Sequence, residues 1–238
     1  MLPTEAIILA GGLGTRLRQV VPDLPKPMAP VSGRPFLEHQ LDYWIGQGLR
    51  RFVLSVGFRR EQIVSHFGKR YRDCEIVYAE ERSPLGTGGG LLLAVERLSA
   101  PGPFLVLNGD TFFEVNLPAL ADFHQSRGAD LTIALFAVKN NDRYMGVQLK
   151  DDGTVASFKS VPGTSQFANG GVYLMDRGLF VSLPWGKGEK LSLEDDLFRH
   201  FLEAGKKIRG CVGTGRFIDI GVPDDYRRAG DILATQTA

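Results

Sequence analysis

The first half of the chain alternates short apolar runs with amphipathic segments. Short apolar runs bounded by glycine or polar residues are typical of strands buried on both faces of a sheet. Apolar residues spaced three and four apart predict helices that cover the sheet. The predicted strands are Ala6–Ala10, Arg51–Val56, Glu75–Ala79 and Phe104–Leu107, and the predicted helices are Pro35–Ile45, Glu61–Phe67 and Gly90–Leu98. This order predicts parallel βαβ units with right-handed crossovers.

The second half is richer in strands. These are predicted at Leu131–Val138, Gly146–Lys150, Val155–Lys159, Gly171–Met175, Ile208–Val212 and Phe217–Ile220, with helices at Leu193–Glu203 and Pro223–Leu233. Asp151-Asp152-Gly153 is a hairpin turn signal between two of the strands. No Pro/Ser-rich linker separates the halves, about 1–115 and about 116–238, so we expect one domain over residues 1–238. The expected fold is α/β: a Rossmann-like mixed, mostly parallel sheet flanked by helices, with a strand-rich lobe.

Charge and composition exclude several classes of protein. The chain has 28 Lys+Arg against 27 Asp+Glu, which provides no basic field for nucleic acid or anionic lipid. It has no run of 18 apolar residues and no secretion signal, so we expect a cytoplasmic protein that does not span a membrane. Cys74 and Cys211 are expected to be reduced, buried thiols. The four histidines and two cysteines lack the spacing of a zinc-binding motif, so we do not expect a zinc site.

A glycine-rich segment, Gly11–Leu17, follows the first predicted strand. Glycines let backbone amides approach phosphate oxygens and adopt positive φ. The segment lacks the Lys-Ser/Thr of a Walker A loop, and Leu17 stands where a dinucleotide fingerprint needs its third glycine. Arg16 supplies a guanidinium suited to bidentate phosphate binding. The simpler interpretation is a flexible turn between strand and helix.

Pro25-Lys26-Pro27 places one lysine between two prolines. The prolines restrict the backbone, which is useful where a cation must be held in place. An ordinary proline-bracketed loop is the alternative.

Two aspartates, Asp110 and Asp219, follow predicted strands. Ligands on parallel sheets collect at the carboxyl ends of the strands, and Mg²⁺ takes few protein oxygens while phosphate and water complete its octahedron. A magnesium site on these two carboxylates is therefore a hypothesis, although either aspartate alone could simply cap a turn.

Taken together, the motifs resemble the signature of the sugar-phosphate nucleotidyltransferase family. The resemblance rests on LAGGLGTRL at Leu9–Leu17, PKPM at Pro25–Met28, and three later motifs in the family's order: PLGTG at Pro84–Gly88, NGD at Asn108–Asp110 and FIDIG at Phe217–Gly221. It covers Ala6 to about Tyr226. It implies an enzyme that joins a nucleoside triphosphate to a sugar 1-phosphate, releases pyrophosphate and requires Mg²⁺.

The resemblance also implies roles for individual residues. The first half is expected to bind the nucleotide and the second half the sugar phosphate. Arg16, Lys26 and Asp110 are the expected catalytic residues, and Asp110 and Asp219 the metal ligands. The nucleotide-binding set is Leu9, Gly11, Gly12, Gly14, Thr15, Arg16, Lys26, Pro84, Gly86, Thr87 and Gly109. Within it, the glycine-rich turn Pro84–Gly88, before the predicted helix Gly90–Leu98, is expected to pack beside the nucleobase. The sugar-phosphate-binding set is Asn169, Gly170, Lys159 and Glu194, with Ser192 as the N-cap of the helix that carries Glu194.

One departure from the family pattern concerns the sugar phosphate. Relatives commonly carry Phe-x-Glu-Lys, whose lysine faces this phosphate, whereas this chain has Phe158-Lys159-Ser160-Val161. Lys159 lies two positions early, which keeps it on the same strand face if the strand is regular. It either substitutes for the usual lysine or is a solvated strand residue.

Within the family, the segments Val20–Tyr43, Leu107–Phe113 and Phe217–Tyr226 are most similar to the branch of heptose 1-phosphate guanylyltransferases. This similarity implies GTP, D-glycero-α-D-manno-heptose 1-phosphate and a role in surface glycan synthesis. Thymidylyl, uridylyl and cytidylyl transfer to a hexose or amino-sugar 1-phosphate stay open, because backbone groups alone can select a base. No hexapeptide-repeat domain is expected. The sequence is compatible with a homodimer.

Two other classes of protein compete with this interpretation. A nucleotide-sugar glycosyltransferase would need an Asp-x-Asp motif, but the candidate strand end is Asp110-Thr111-Phe112. A non-catalytic regulatory or binding protein on the same fold would be expected to lack one of Arg16, Lys26, Asp110 or Asp219, and the chain has all four.

Overall fold

The protein is described by a computed structural model. It describes residues 2–12, 14, 17, 20–138, 144, 146–158 and 166–234.

The first half contains the predicted alternation of strands and helices. Its elements are β1 (Glu5–Leu9), a 3₁₀ helix (Lys26–Met28), β2 (Pro30–Val31), β3 (Arg34–Pro35), α1 (Phe36–Gly46), β4 (Arg51–Val56), α2 (Arg60–Phe67), β5 (Arg70–Tyr71), β6 (Cys74–Glu80), α3 (Gly86–Val95) and β7 (Phe104–Asn108).

The second half adds strands and shorter helices. They are β8 (Thr111–Phe113), α4 (Leu117–Ser126), β9 (Leu131–Ala137), β10 (Gly146–Leu149), β11 (Val155–Ser157), β12 (Phe167–Met175), a 3₁₀ helix (Arg177–Phe180), a π-helix (Leu193–Phe198), α5 (Arg199–Glu203), β13 (Ile208–Gly213), β14 (Phe217–Asp219) and α6 (Pro223–Ala234).

The main sheet confirms the predicted fold class. Within the described residues its order is β11-β10-β12-β7-β1-β4-β6-β5, and β9 and β13 join it through β12. The strands β7, β1, β4 and β6 are mutually parallel, as predicted. β12 pairs antiparallel with β7, which makes the sheet mixed and joins the two halves through backbone hydrogen bonds.

The core lies on both faces of this sheet. Side chains of α1 and α2, including Trp44 and Phe67, pack on one face. On the other face, α3 and the helices around Phe198 and Phe201 cover the strands. A third cluster, which includes Phe36, Phe112 and Ile218, packs α6 beneath the small β8–β14 ribbon. Among the described residues, none of the helices combines the length and the hydropathy that a membrane-spanning helix needs.

The two largest errors in the predicted boundaries concern the start of α3 and the start of β12. The glycine-rich segment expected as a turn before Gly90 is already helical, since α3 begins at Gly86. Its glycines are required by close contact with segment 189–192: a Cβ at Gly88 would lie 2.8 Å from the Ser192 carbonyl oxygen. The strand expected to begin at Gly171 begins at Phe167, with a register irregularity between Asn169 and Tyr173.

Candidate active site

A cavity of about 590 Å³ opens at the carboxyl ends of the parallel strands. Leu9 at the end of β1, Ser55 near the end of β4 and Asn108 at the end of β7 line it. This is the edge at which ligands collect on parallel sheets. Eight of the expected nucleotide-binding residues line the cavity: Leu9, Gly11, Gly12, Gly14, Lys26, Pro84, Gly86 and Thr87.

The glycine-rich segment Gly11–Leu17, called the glycine loop below, follows β1, and its first described residues are held against the end of β4. Ala10 donates its amide to the Ser55 carbonyl oxygen at 2.8 Å. A Cβ on Gly11 would collide with the Glu81 carboxylate, so a larger residue at this position would displace that buried group. Gly14 has φ +62°, and a Cβ there would lie 2.7 Å from Lys26 Cγ. Gly14 thus packs directly on the stem of the lysine whose ammonium reaches the cavity.

Lys26 is the first residue of the 3₁₀ helix, directly after the extended Pro25. Its Nζ donates a hydrogen bond to Asp110 Oδ2 at 2.9 Å, and the two side chains are 19% and 35% exposed. The two prolines and the helical turn fix the backbone, as the sequence predicts. A cation held at this place in a cavity can neutralise a phosphate oxygen.

Asp110 and Asp219 are brought together by the β8–β14 ribbon. Asp219 pairs with Thr111, the residue after Asp110, and the Ile220 amide donates to the Asp110 carbonyl oxygen at 2.9 Å. A Cβ built on Gly221 would lie 2.8 Å from Asp219 Oδ1, 2.9 Å from Lys26 Nζ and 3.5 Å from Asp110 Oδ2. Both carboxylates and the ammonium therefore surround one point.

This arrangement fits Mg²⁺. Two carboxylate oxygens, one from each aspartate, lie within a few ångströms of one point at the cavity wall. Among the described residues no group of three or more His, Cys, Asp or Glu side chains could hold a metal ion. Mg²⁺ is commonly bound by one or two carboxylates together with substrate phosphates, so a pair is sufficient.

The turn expected to lie beside the nucleobase is joined to the π-helix. The Leu191 amide donates to the Leu85 carbonyl oxygen at 2.8 Å, and the Gly88 amide donates to the Leu191 carbonyl oxygen at 2.8 Å. The Thr87 hydroxyl accepts the Leu193 amide at 2.9 Å and donates to Glu194 at 3.5 Å. Thr87 lines the cavity, but its hydroxyl is engaged by the segment that carries Glu194.

A buried carboxylate in the cavity wall, Glu81, was not found from the sequence. It is 7% exposed and follows directly after β6. One of its oxygens accepts the Leu85 amide at 3.0 Å, and the other accepts the Ser55 hydroxyl at 3.3 Å. An acidic group thus lies between the glycine loop and the turn at Pro84–Thr87.

The three expected sugar-phosphate residues that the structure describes, Asn169, Gly170 and Glu194, do not line the cavity. The Asn169 amide donates to the Tyr173 hydroxyl at 2.8 Å, and its oxygen accepts the Gly171 amide at 3.0 Å. The Asn108 side chain, which lines the cavity, lies beside the same hydroxyl. Gly170 is buried, and a Cβ there would collide with the Phe113 ring.

Burial and negative charge shift two groups in this region. Burial raises the pKa of Tyr173 well above its usual range, and the charges of Glu194 and Asp110 add to the effect. Burial also raises the pKa of Glu194. Ser192 caps the π-helix by accepting the Asp195 amide at 3.1 Å, which confirms its predicted N-cap role.

Three expected site residues, Thr15, Arg16 and Lys159, lie outside the described residues. Gly109 is described but does not line the cavity. Its amide donates to the Leu9 carbonyl oxygen at 3.0 Å, and a Cβ there would lie 3.1 Å from Ala10 Cα. Gly109 is required for the close approach of β7 to β1.

Ser55 and Lys190, which line the cavity together with Glu81, were not found from the sequence either. Ser55 and Glu81 stand at the ends of two predicted parallel strands, so the strand-end rule that selected Asp110 would have found them. Lys190 carried no comparable signal, because contacts distant in sequence bring segment 189–192 to the cavity.

Comparison with known proteins agrees with the class that the fold and site define. The chain belongs to the nucleotidyl transferase family, whose profile matches residues 5–236. It is 43% identical to the D-glycero-alpha-D-manno-heptose 1-phosphate guanylyltransferase of Aneurinibacillus thermoaerophilus over 94% of this chain and 96% of that protein. The enzyme of the same name from Campylobacter jejuni is 37% identical over 93% and 96%.

The fold matches a solved structure over nearly its whole length. HddC from Yersinia pseudotuberculosis superposes with a TM-score of 0.84 at 32% identity, covering 97% of this chain and 99% of that one. A second structure of HddC, in complex with GMP-PN, gives a TM-score of 0.83 at 31% identity, with the same coverage of both chains.

Proposed function

We propose that this protein transfers GMP from GTP to D-glycero-α-D-manno-heptose 1-phosphate, releases pyrophosphate and forms a GDP-heptose for surface glycan synthesis. The observation that carries the class of reaction is the convergence of Lys26, Asp110 and Asp219 around one point in the cavity. The specificity for GTP and heptose is supported by the similarity to two guanylyltransferases over 94% and 93% of the chain.

The proposed reaction is a direct displacement. A phosphate oxygen of the sugar 1-phosphate attacks the α-phosphorus of GTP, a new P–O bond forms, and the bond to the β-phosphate oxygen breaks with release of pyrophosphate. Two polyanions must approach each other, so positioning and charge neutralisation dominate the catalysis. No enzyme nucleophile is required.

Different residues of the cavity are proposed to bind different parts of the two substrates. Lys26 neutralises an oxygen of the α-phosphate, and the glycine loop offers backbone amides to the triphosphate. Asp110 and Asp219 would hold Mg²⁺, which when bound supplies positive charge that offsets the repulsion between the two phosphates. We propose that Arg16 neutralises the pyrophosphate that leaves.

Glu81 supports the assignment of guanine. The Watson–Crick edge of guanine presents two neighbouring donors, N1–H and the 2-amino group, and a carboxylate can accept both. Uracil and thymine present one donor on this edge, so they make one of these bonds. Glu81 lies beside the turn expected to contact the base, and we propose that its carboxylate reads guanine.

For the sugar 1-phosphate we propose Asn169, Gly170 and Glu194 as the residues that shape its site. Glu194 is supported by its connection to the cavity through Thr87, and Asn169 by its connection through Tyr173 and Asn108. Lys159 is proposed as the cation for the sugar phosphate in place of the lysine that relatives carry. We also propose that the enzyme works in the cytoplasm, and a homodimer stays a prediction.

A matrix of substrates tests this function. The four NTPs, each combined with several sugar 1-phosphates including manno-heptose and mannose 1-phosphate, are scored by pyrophosphate release. We expect the highest kcat/KM for GTP with manno-heptose 1-phosphate. If a different pair of substrates gives the highest kcat/KM, the proposed specificity is wrong. If no pair releases pyrophosphate, the proposed class of reaction is wrong.

A further inference from the structure

Gln40 is a buried amide on α1 that contacts the turn bearing Asp110. It is 2% exposed, and its Nε2 donates to the Asn108 carbonyl oxygen at 2.9 Å and to the Thr111 carbonyl oxygen. These two carbonyls bracket Gly109-Asp110. One side chain from a helix 68 residues away in sequence therefore closes the turn on both sides of the aspartate.

The orientation of this amide is fixed by what it faces. The reversed amide would place Gln40 Oε1 against two carbonyl oxygens, which only accept hydrogen bonds. In the orientation found, Oε1 is buried and has no hydrogen-bond partner among the described residues. A buried oxygen without a hydrogen-bond partner lowers the stability of the fold. The Gln40 amide thus lowers stability through its unpaired oxygen, and it provides two hydrogen bonds that hold the turn.

The same turn is linked to the second aspartate and to the lysine. The Asp110 carbonyl oxygen accepts the Ile220 amide at 2.9 Å, and the Asp110 carboxylate accepts Lys26 Nζ at 2.9 Å. Movement of the turn would therefore change the separation of Asp110 from Asp219. We infer that Gln40 is a positioning residue, which holds Asp110 at the place where its carboxylate acts together with Asp219 and Lys26.

This inference rests on the proposed function, and it predicts that a Gln40 variant loses part of the GTP affinity that depends on Mg²⁺. Affinity for GTP is measured by calorimetry without sugar 1-phosphate, so that no turnover occurs, once in Mg²⁺ and once in EDTA. For Gln40→Met, which keeps the volume and removes both donors, we expect the gain in GTP affinity that Mg²⁺ produces to fall about tenfold, as for other residues that orient a metal ligand. The affinity in EDTA should be unchanged.

Gln47 provides a matched control. It lies at the end of the same helix, donates to the Val115 carbonyl oxygen at 2.7 Å and accepts the Leu117 amide at 2.7 Å. Gln47 thus ties residues 115 and 117, which follow the Asp110 turn and do not line the cavity, to the end of α1. Gln47→Met should lower thermal stability without changing the effect of Mg²⁺ on GTP affinity.

A second variant covers the case in which Gln40→Met does not fold. Gln40→Asn keeps an amide but is one methylene shorter and cannot reach both carbonyls, so part of the Mg²⁺ effect should be lost. The inference is overturned if a folded Gln40 variant loses thermal stability as Gln47→Met does but keeps the wild-type Mg²⁺ effect. If the wild-type protein itself binds GTP no more tightly in Mg²⁺ than in EDTA, it is the proposed function that fails.

Discussion

Lys26 carries the positive charge closest to the two site carboxylates in the described structure. Its ammonium contacts Asp110 and lies near Asp219, so its removal leaves two negative charges facing an incoming polyanion. We expect Lys26→Ala to raise the reaction barrier by about 3 kcal/mol, on the order of a hundredfold in kcat. Pyrophosphate release at saturating substrates measures this change.

The control for Lys26 is Lys187→Ala. Lys187 is exposed, pairs with Glu96 at 2.7 Å and does not line the cavity, so kcat should stay at the wild-type value. Equal turnover by Lys26→Ala and Lys187→Ala would remove Lys26 from the mechanism.

Glu81 is expected to determine selectivity for the base. A glutamine in place of Glu81 would keep one acceptor and add a donor that faces the donors of guanine. We predict that Glu81→Gln lowers kcat/KM for GTP by roughly tenfold or more, because a bond to a charged group contributes about 1.5–3 kcal/mol, and changes the other NTPs less. The neighbouring Glu80→Gln is the control, since Glu80 is exposed and pairs with Arg60 at 3.3 Å. An equal loss for all four NTPs would contradict a role in base selection.

Replacement of Glu194 by glutamine should raise stability and lower activity. Burial raises its pKa, so the folded protein binds this proton more tightly than the unfolded chain does. Its contribution to stability is complete below the ordinary pKa of 4.5 and is lost as the pH rises through the raised value. Glu194→Gln cannot ionise, so its Tm should exceed that of the wild type at pH 8, and the difference should shrink toward pH 5.

Activity should change in the opposite direction. If Glu194 contacts the sugar 1-phosphate substrate, Glu194→Gln should lower kcat/KM for that substrate about tenfold and leave the KM for GTP unchanged. Glu203→Gln, an exposed carboxylate paired with Arg199 at 2.9 Å, should change neither property. A Tm difference that is independent of pH would show that the charge of Glu194 is not the cause.

At the scale of elements, the joint between α3 and segment 189–192 connects the two halves of the site. Gly86 has φ +71°, and a Cβ there would collide with the Leu191 carbonyl oxygen. We predict that Gly86→Ala lowers the free energy of unfolding by about 2 kcal/mol or more, because a left-handed alanine is strained and the joint must open. It should also raise the KM for GTP.

The matched control for this glycine is Gly46→Ala at the end of α1. Nothing lies within 4 Å of a Cβ at Gly46, so the substitution should leave the unfolding free energy unchanged or slightly higher. Urea denaturation measures both variants. If Gly86→Ala is as stable as Gly46→Ala, the close contact between α3 and segment 189–192 is not required for stability.

Most elements were predictable from the sequence, and the exceptions have physical causes. Strand Arg51–Val56 was predicted to the residue, because its apolar residues, 52–54 and Val56, are buried on both faces of the sheet. The start of α3 was missed because three consecutive glycines signal a turn unless the packing of segment 189–192 is known. Helix α4 and strand β8 were not predicted.

The candidate site was predictable where it follows the strand-end rule. Asp110 and Asp219 were selected this way, and the structure places them around one point with Lys26. Glu81 follows the same rule and was overlooked. Gln40 and Lys190 could not be found, because contacts far apart in the sequence bring them to the site.

At the scale of the whole molecule, the antiparallel pairing of β12 with β7 joins the two halves in one sheet. The expected single domain is still a prediction. Because shared backbone hydrogen bonds couple the halves, we predict one cooperative unfolding transition, coincident by tryptophan fluorescence and by far-UV circular dichroism. Two separated transitions would show that the halves fold independently.

The structure of the protein crystallised with GTP and Mg²⁺ would test the central claim most directly. The account predicts the triphosphate on the glycine loop with the α-phosphate beside Lys26, the ion between the Asp110 and Asp219 carboxylates, and the guanine edge against Glu81. A nucleotide bound elsewhere, or an ion that neither aspartate contacts, would contradict it.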